Sequence, residues 1–265
     1  MLYNAKEGVL ELEGKRLCYI SFGKGEKTLI MIQGLNTRSV KGMALPLAFM
    51  YRIFAKKYTV YLFDRRENVD ENITVDDFAA DTAEAIDKLG LKNADVLGVS
   101  EGGMIAQRIA IDRPDLVRRL VLAVTLSRNN ETVESVINSW VEMTKAREWK
   151  KLVRDMAEKM YSDAYVKRYK LMMPLLTLLQ KPKDAQRFIS LARSCLTCNT
   201  YGELEKIQCP TLVIGGAQDK IVGAEASREI AERLGCQIFM YDGLGHAAYE
   251  EAKDFNKRVY EFFNE

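Results

Sequence analysis

The sequence lacks several features that mark large classes of proteins. It has no apolar run near the roughly 18 residues that a membrane-spanning helix needs. Its N-terminal stretch, MLYNAKEGVLELEG, has no basic start followed by an apolar block, so no secretory signal peptide is predicted. The formal net charge is only +2, which gives no electrostatic reason to expect nucleic acid or a membrane as a partner. We therefore expect a cytoplasmic protein.

Cysteine and histidine are also scarce. The five cysteines are an odd number, which in an intracellular chain predicts reduced thiols. Cys195 and Cys198 form a C-x-x-C pair, a spacing that can serve redox or metal chemistry. No second cysteine pair and no histidine cluster accompany it, and its surroundings, FISLARSCLTC, have a helical pattern. No metal site is therefore expected, and His246 is the only histidine in the chain.

Glycine is absent between Gly103 and Gly202, and residues 126 to about 205 contain no strand pattern. Apolar residues recur at helical spacing in this interval, which predicts a compact helical insert and not a flexible linker. Helices are expected around residues 133–141, 149–160, 164–179 and 183–198, the last opened by Pro182.

Outside the insert, short apolar runs alternate with helical patterns. The runs are rich in β-branched residues, as buried parallel strands are. They lie at residues 28–32, 60–63, 95–99, 120–124, 211–214 and 237–241. Helices are expected between most of them, at 75–89, 104–111 and 224–234. This alternation predicts an α/β fold with a mostly parallel sheet flanked by helices, and residues 9–13 and 17–22 predict an antiparallel hairpin at one edge.

Chemically reactive side chains follow three of these strands. Ser100 comes after the run at 95–99, Asp219 after 211–214, and His246 after 237–241. Asp242 is a rival acid, but it lies on the same loop as the histidine. Because ligand sites in open parallel sheets gather beyond the carboxyl ends of the strands, we expect these groups to lie close together.

The stretch GVSEG, residues 98–102, resembles the G-x-S-x-G nucleophile elbow of the α/β-hydrolase superfamily, where an acid and a histidine follow later in the chain. The resemblance covers nearly the whole chain. It implies an α/β-hydrolase fold with a core domain of residues 1–125 and 206–265, and a helical cap of residues 126–205.

The resemblance also assigns roles to single residues. It implies that Ser100 is a nucleophile, His246 its base, and Asp219 the acid that orients the imidazole. Gly98 and Gly102 would permit the sharp turn, since a Cβ at either position would crowd it.

Two backbone N–H groups are implied as the oxyanion hole, those of Glu101 and Leu35. Many relatives have His-Gly where this chain has Gln33-Gly34, so the hydrogen bonds of that loop are expected to differ. Glu67 also stands where relatives often have a glycine after Asp-x-Arg, and neither departure touches the three triad positions.

A serine at the elbow implies acyl transfer, because haloalkane dehalogenases and epoxide hydrolases of this fold use aspartate there. The expected activity is hydrolysis of small, fairly apolar carboxylic esters through an acyl-enzyme, without a cofactor. A lactonase, a thioesterase or a carbon–carbon hydrolase with the same triad is an alternative, and so is a ligand-binding receptor of low turnover. The cap would supply an apolar roof, although most of its aromatic and methionine side chains are expected to pack it onto the sheet. These are Trp140, Trp149, Met143, Met156, Met160, Met172 and Met173.

Overall fold

A computed structural model describes residues 2–265 of the protein, apart from the side chains at positions 170, 173 and 176. Eight strands in this part of the chain form one sheet in the order β1-β2-β4-β3-β5-β6-β7-β8. The strands are β1 (Lys6–Leu12), β2 (Lys15–Gly23), β3 (Lys27–Ile32), β4 (Tyr58–Arg66), β5 (Ala94–Val99), β6 (Val117–Ala123), β7 (Thr211–Gly216) and β8 (Gln237–Tyr241).

The sheet has the predicted mixture of pairings. β1 and β2 form the antiparallel hairpin at one edge, and β2 also pairs antiparallel with β4. All pairings from β4 through β3, β5, β6 and β7 to β8 are parallel. All six predicted parallel strands are present, so this part of the prediction is confirmed.

Two strand ends differ from the prediction. The run at 120–124 was expected to be strand throughout, but β6 ends at Ala123 because Val124 has a φ of 44°. The run at 60–63 predicts a strand that ends at Phe63, but β4 continues through Asp64, Arg65 and Arg66. The reason is that β2 continues to pair along β4 as far as Arg66, after the parallel partner β3 has ended.

Helices cover both faces of the sheet, as the alternation predicts. None of those in residues 2–265 has the length and apolar composition needed to cross a membrane. The helices are α1 (Ala44–Met50), α2 (Val75–Lys88), α3 (Glu101–Asp112), α4 (Glu131–Lys145), α5 (Trp149–Met160), α6 (Asp163–Tyr169), α7 (Met173–Gln180), α8 (Ala185–Ser194), α9 (Ala224–Leu234), α10 (Ala248–Glu251) and α11 (Phe255–Phe263).

The interval between β6 and β7 holds helices α4 to α8, but two of its predicted helices were wrong in extent. The helix expected at 164–179 is divided into α6 and α7, with Pro174 in the first turn of α7. Proline cannot donate to the carbonyl four residues earlier, and its ring clashes with that carbonyl, so one continuous helix is excluded. The helix expected at 183–198 ends at Ser194, and it is opened by Asp184 and not by Pro182. The Asp184 side chain accepts a hydrogen bond from the N–H of Arg187 at 3.0 Å and so caps the helix.

The base of the insert shares a hydrophobic core with the sheet. Val133, Trp140, Leu152 and Phe188 from the insert belong to the same buried cluster as Ile105 of α3. Fully burying one such apolar side chain contributes about 1.5–3 kcal/mol to stability. The insert is therefore held to the face of the sheet that α2 and α3 cover.

The turn from β5 into α3 depends on close backbone packing. A Cβ on Gly98 would lie 2.5 Å from the Gly102 carbonyl oxygen, and one on Gly102 would lie 2.0 Å from the carbonyl oxygen of Ile32. Neither glycine has a positive φ. Gly98 is required because the strand lies against the start of α3, and Gly102 because the helix start lies against the end of β3, too closely in each case for a side chain.

This packing predicts that Gly102→Ala destabilises the protein. The new Cβ would press on the backbone at the end of β3, which cannot yield as a flexible side chain would, so the free energy of unfolding should fall by about 2 kcal/mol or more. Gly202→Ala is the matched control, since a Cβ there would meet nothing within 4 Å, and its effect should stay within about 0.5 kcal/mol. Urea denaturation followed by circular dichroism measures both, and equal effects would contradict the packing argument.

Candidate active site

Three loops at the carboxyl edge of the sheet bring Ser100, His246 and Asp219 together. Ser100 follows β5, Asp219 follows β7 and His246 follows β8. The carboxyl ends of these strands lie along the same edge because β5 to β8 run parallel in adjacent order. His246 Nε2 lies 2.9 Å from Ser100 Oγ, and His246 Nδ1 lies 2.8 Å from Asp219 Oδ2. The three side chains thus form one continuous hydrogen-bonded row.

The carboxylate of Asp219 sets the direction of the hydrogen bonds in this row. Burial by itself raises the pKa of this carboxyl, but the charge and hydrogen bond of His246 and the N–H groups of Ile221 and Val222 outweigh it and leave the pKa lowered. An ionised carboxylate can only accept, so Nδ1 of His246 carries the proton and donates it to Asp219. Nε2 therefore accepts from the hydroxyl of Ser100. Asp242, the rival acid, is exposed.

Ser100 stands on a strained backbone. Its φ and ψ are 54° and −121°, a region that costs a residue with a side chain about 1–3 kcal/mol. Ser100 N–H donates to the Ala123 carbonyl at 2.9 Å, and Thr125 Oγ1 donates to the Ser100 carbonyl at 2.7 Å. These bonds to the end of β6 and the loop after it hold the turn in place.

Two further backbone segments meet at Ser100. The N–H of Glu101 is the first of α3, so no intrahelical carbonyl accepts from it. Gly34 and Leu35 line the same cavity as Ser100. A Cβ on Gly34 would lie 3.0 Å from Ser100 Cβ and 3.5 Å from its Oγ. The loop after β3 is therefore adjacent to the hydroxyl, which is where Leu35 was expected.

Gln33, which stands where many relatives have histidine, belongs to a hydrogen-bonded group with Arg65 and Glu101 that no sequence motif predicted. Arg65 Nη2 donates to the Gln33 carbonyl at 2.5 Å and to Glu101 Oε2 at 2.9 Å. The Gln33 amide nitrogen is buried without a partner among the described residues. One signal was present in the sequence: an acid directly after Ser100, at the start of a buried helix, requires a cation beside it.

A small apolar cavity opens beside Ser100 and His246, with a volume of about 40 Å³. That is room for a few water molecules. Indole nitrogen Nε1 of Trp140 donates to Asp155 at 2.7 Å, which fixes the ring in the wall. The cavity is lined by Gly34, Leu35, Ser100, Met104, Val133, Ile137, Trp140, Met156, Met160, Cys195, Ile221, Val222, His246 and Tyr249.

The methionines of the insert divide between core and cavity. Met143 is buried in the core, whereas Met156 and Met160 line the cavity. Met172 is 46% exposed, and the side chain at position 173 lies outside the described residues. Trp140 is also buried in the shared core, and Trp149, Met156 and Met160 pack against it, so most of these residues pack the insert onto the sheet as expected.

The end of α5 is tied to the loop that carries His246. Ala247 N–H donates to the Met160 carbonyl at 2.7 Å. Ser162 donates to the two carboxylate oxygens of Glu251 from its N–H at 2.9 Å and from its hydroxyl at 2.6 Å. The wall of the cavity and the histidine are thus positioned by one set of hydrogen bonds.

Cys195 and Cys198 are free and buried. Burial raises the pKa of the Cys195 thiol well above its usual value and that of Cys198 to about 12. Both are therefore protonated thiols at neutral pH, a form that neither attacks nor binds metal. Within residues 2–265 no group of three or more His, Cys, Asp or Glu side chains is arranged to hold a metal ion.

Comparison of the sequence with known proteins finds relatives that match two thirds or more of this chain. A 2-hydroxy-6-oxononadienedioate/2-hydroxy-6-oxononatrienedioate hydrolase of Pseudomonas sp is 24% identical over 184 residues, which are 67% of this chain and 65% of that protein. 3-oxoadipate enol-lactonase 2 of Acinetobacter baylyi is 20% identical over 226 residues, which are 82% of this chain and 81% of the relative.

Solved structures show the same fold. The crystal structure of MGS-M2, an alpha/beta hydrolase enzyme from a Medee basin deep-sea metagenome library, superposes with a TM-score of 0.86. The superposition covers 97% of this chain and 98% of that one at 21% identity. The family model described as serine aminopeptidase, S33, matches residues 27–253. The chain therefore belongs to the serine aminopeptidase S33 family and has the α/β-hydrolase fold.

Proposed function

We propose that this protein is a serine hydrolase that cleaves small, fairly apolar carboxylic esters through an acyl-enzyme. The observation that carries the proposal is the 2.9 Å contact between Ser100 Oγ and His246 Nε2, backed by Asp219 at 2.8 Å from Nδ1. A serine hydroxyl is a weak nucleophile by itself and needs a base within hydrogen-bond reach. Hydrolases among the relatives support the reaction class.

The reaction follows from the direction of the hydrogen bonds. Ser100 Oγ attacks the ester carbonyl carbon while Nε2 of His246 takes the hydroxyl proton. Asp219 stabilises the imidazolium that forms, and the N–H groups of Glu101 and Leu35 stabilise the negative oxygen. His246 then gives its proton to the leaving alcohol, and the acyl-enzyme remains. Water repeats the sequence on the acyl carbon and releases the acid.

The apolar cavity supports a small acyl group as the part of the substrate that is held. Its cap-side wall consists of Val133, Ile137, Trp140, Met156 and Met160, and the roughly 40 Å³ beside Ser100 limits what fits. We assign residues 126–205 as a cap over a core of residues 1–125 and 206–265, because the insert supplies this wall while the triad lies on core loops.

A lactone is the second candidate substrate. The enol-lactonase among the relatives favours it, and a cyclic ester presents the same carbonyl to the same triad. The reaction differs only in that the leaving alcohol stays attached to the acyl group. Turnover of a small lactone and of a matched open-chain ester distinguishes the two.

The first prediction concerns the nucleophile. A fluorophosphonate should attach to Ser100, because the histidine activates that hydroxyl and fluoride leaves from phosphorus. Ser100→Ala should abolish the label and lower ester turnover by roughly 10⁴-fold or more. Ser39→Ala, at an exposed serine, is the control and should leave both unchanged. Mass spectrometry of the labelled protein checks the site, and an unlabelled wild-type protein would favour a ligand-binding receptor.

The second prediction concerns pH. Since the pKa of Asp219 is below its ordinary value, that carboxylate stays ionised when the solution is acidified into the range where an imidazole protonates. We expect kcat/KM to decline on acidification as a single-proton titration, because only a neutral imidazole can accept the serine proton.

The same lowered pKa has a consequence for stability. A carboxyl whose folded pKa lies below its unfolded pKa stabilises the fold above the unfolded value, and this contribution is lost as pH falls through the folded value. Asp219→Asn should therefore lower the free energy of unfolding near neutral pH. It should also lower kcat/KM by about 10⁴-fold. If kcat/KM of His246→Ala declined on acidification as the wild-type value does, the assignment of His246 as the base would be refuted.

The third prediction concerns acyl size. Each methylene that the cavity accommodates contributes up to about 0.8 kcal/mol, so kcat/KM should rise with acyl length until the cavity is full and then fall. Val133→Ala enlarges the wall and should move the optimum to a longer acyl chain. Val136→Ala is the matched control, a buried valine of the same helix that does not line the cavity. Identical profiles for the two variants would show that the insert does not select the acyl group.

A further inference from the structure

We infer that Arg65 and Glu101 are positioning residues that hold the two backbone segments of the oxyanion hole in register beside Ser100. This inference rests on the proposed function, because it concerns the stabilisation of a tetrahedral oxygen. It assigns a role to two side chains that are neither members of the triad row nor among the residues that line the cavity.

One guanidinium nitrogen joins the two segments. Nη2 of Arg65 donates to the carbonyl oxygen of Gln33 at 2.5 Å and to Oε2 of Glu101 at 2.9 Å. Gln33 begins the turn that contains Leu35, whose N–H is one proposed donor. Glu101 supplies the other N–H from its own backbone. Arg65 therefore links both sources of the oxyanion hole.

The segments also touch directly, which makes their separation sensitive to this link. A Cβ on Gly102 would lie 2.6 Å from the Gln33 carbonyl oxygen, and one on Gly34 would lie 3.2 Å from the Val99 carbonyl oxygen. The pairing of β3 with β5 ends at Ile32 and Gly98, and beyond it the two backbones touch with no side chain between them, so packing and the guanidinium hold their spacing there. A displacement of about 1 Å in such donors is costly to catalysis.

The Glu101 carboxylate is held at its second oxygen as well. The hydroxyl of Ser194, fully buried at the end of α8, lies 3.0 Å from Oε1 of Glu101 and 2.8 Å from the carbonyl oxygen of Leu191, and these two acceptors share its one proton. Each carboxylate oxygen thus has a donor within hydrogen-bond distance, which favours the orientation that faces Arg65. The contact also connects the insert to the oxyanion segments, so the position of α8 affects the position of the Glu101 N–H beside Ser100.

The buried pair is poorly arranged for stability alone. The side chains of Arg65 and Glu101 are 2% and 1% exposed, and Nε and Nη1 of Arg65 have no partner among the described residues. Unpartnered buried donors of a charged group cost free energy. One residue along β4, Arg66 makes a contrasting pair, in which Nε and Nη2 both donate to Asp81. Asp81 thus accepts two hydrogen bonds from Arg66 and a third from Lys15 Nζ at 2.8 Å, whereas Arg65 uses one nitrogen to join two turns.

The neighbouring pair provides the matched control. We would compare Glu101→Gln and Arg65→Met with Asp81→Asn, a change that removes one charge from a buried ion pair away from the oxyanion segments. For each variant, the melting temperature, the steady-state constants for a small ester, and the Ki of an alkyl trifluoromethyl ketone are measured. This ketone forms a tetrahedral anion with the serine, so its Ki reports the oxyanion hole directly.

All three variants should lower the melting temperature, since each leaves a buried charge without its partner. Only Glu101→Gln and Arg65→Met should lower kcat, by about 10- to 100-fold with KM changed less than about twofold, because the loss is confined to the transition state. The ketone Ki should rise by a similar factor. Arg65→Lys keeps the charge and a donor, and it should recover part of the loss relative to Arg65→Met.

Should the pair variants not fold, Ser194→Ala gives the test, because it leaves the ion pair intact and removes one anchor of Glu101. It should lower kcat and weaken the ketone by about 3- to 10-fold, less than a full hydrogen bond to a charged group, because Ser194 shares its one proton with the Leu191 carbonyl. An unchanged Ki in Ser194→Ala, or pair variants that behave like Asp81→Asn, would overturn the inference. Failure of the proposed function would look different, since the wild-type protein would then neither form the phosphonyl adduct nor turn over esters.

Discussion

The backbone of Ser100 is the constraint on which the site depends. A residue with a side chain is held at a φ of 54° between a strand and a helix, and the turn presents Oγ to Nε2 of His246 at 2.9 Å. Such a conformation is unfavourable by itself and persists when its surroundings over-determine it. Here the surroundings are the close approach of Gly102 to the end of β3 and the hydrogen bond from Thr125. The strain that aims the hydroxyl is thus balanced by packing that involves no part of the triad.

That packing brings the end of β3 against the start of α3, and it leaves the oxyanion segments touching backbone to backbone. β3 and β5 pair up to Ile32 and Gly98, and beyond that point we infer that Arg65 and Glu101 hold the two segments at their spacing. The buried charge costs stability, and the Arg66–Asp81 pair shows that this sheet can hold an arginine with fuller satisfaction one residue away. The difference between the two pairs is consistent with a division between pairs that stabilise and pairs that position.

The insert contributes by a different kind of interaction. Its helices bury apolar side chains in the core shared with α3 and present Trp140, Met156 and Met160 to the cavity. Apolar contact scales with area and has little direction, so it suits selection of acyl size and not the alignment of reacting atoms. Alignment at this boundary comes instead from hydrogen bonds such as that from Ala247 to the Met160 carbonyl.

Local patterns in the sequence determined much of this protein. The strand runs, the edge hairpin and the family follow from periodicity and from the order of Ser100, Asp219 and His246, because burial on both faces leaves continuous apolar runs and loops follow strand ends. Gly98 and Gly102 likewise predicted close backbone packing at this turn, since a Cβ at either position would crowd it.

Tertiary structure decided what depends on neighbours distant in the chain. The pairing of Arg65 with Glu101 joins positions 36 residues apart, and the anchor from Ser194 lies a further 93 residues along. The extension of β4 through Arg66 depends on its pairing with β2, and the volume of the cavity beside Ser100 depends on how the insert packs against the core. No local period encodes these contacts, because hydrogen-bond partners and cavity walls are chosen by the three-dimensional path of the chain and not by spacing along it.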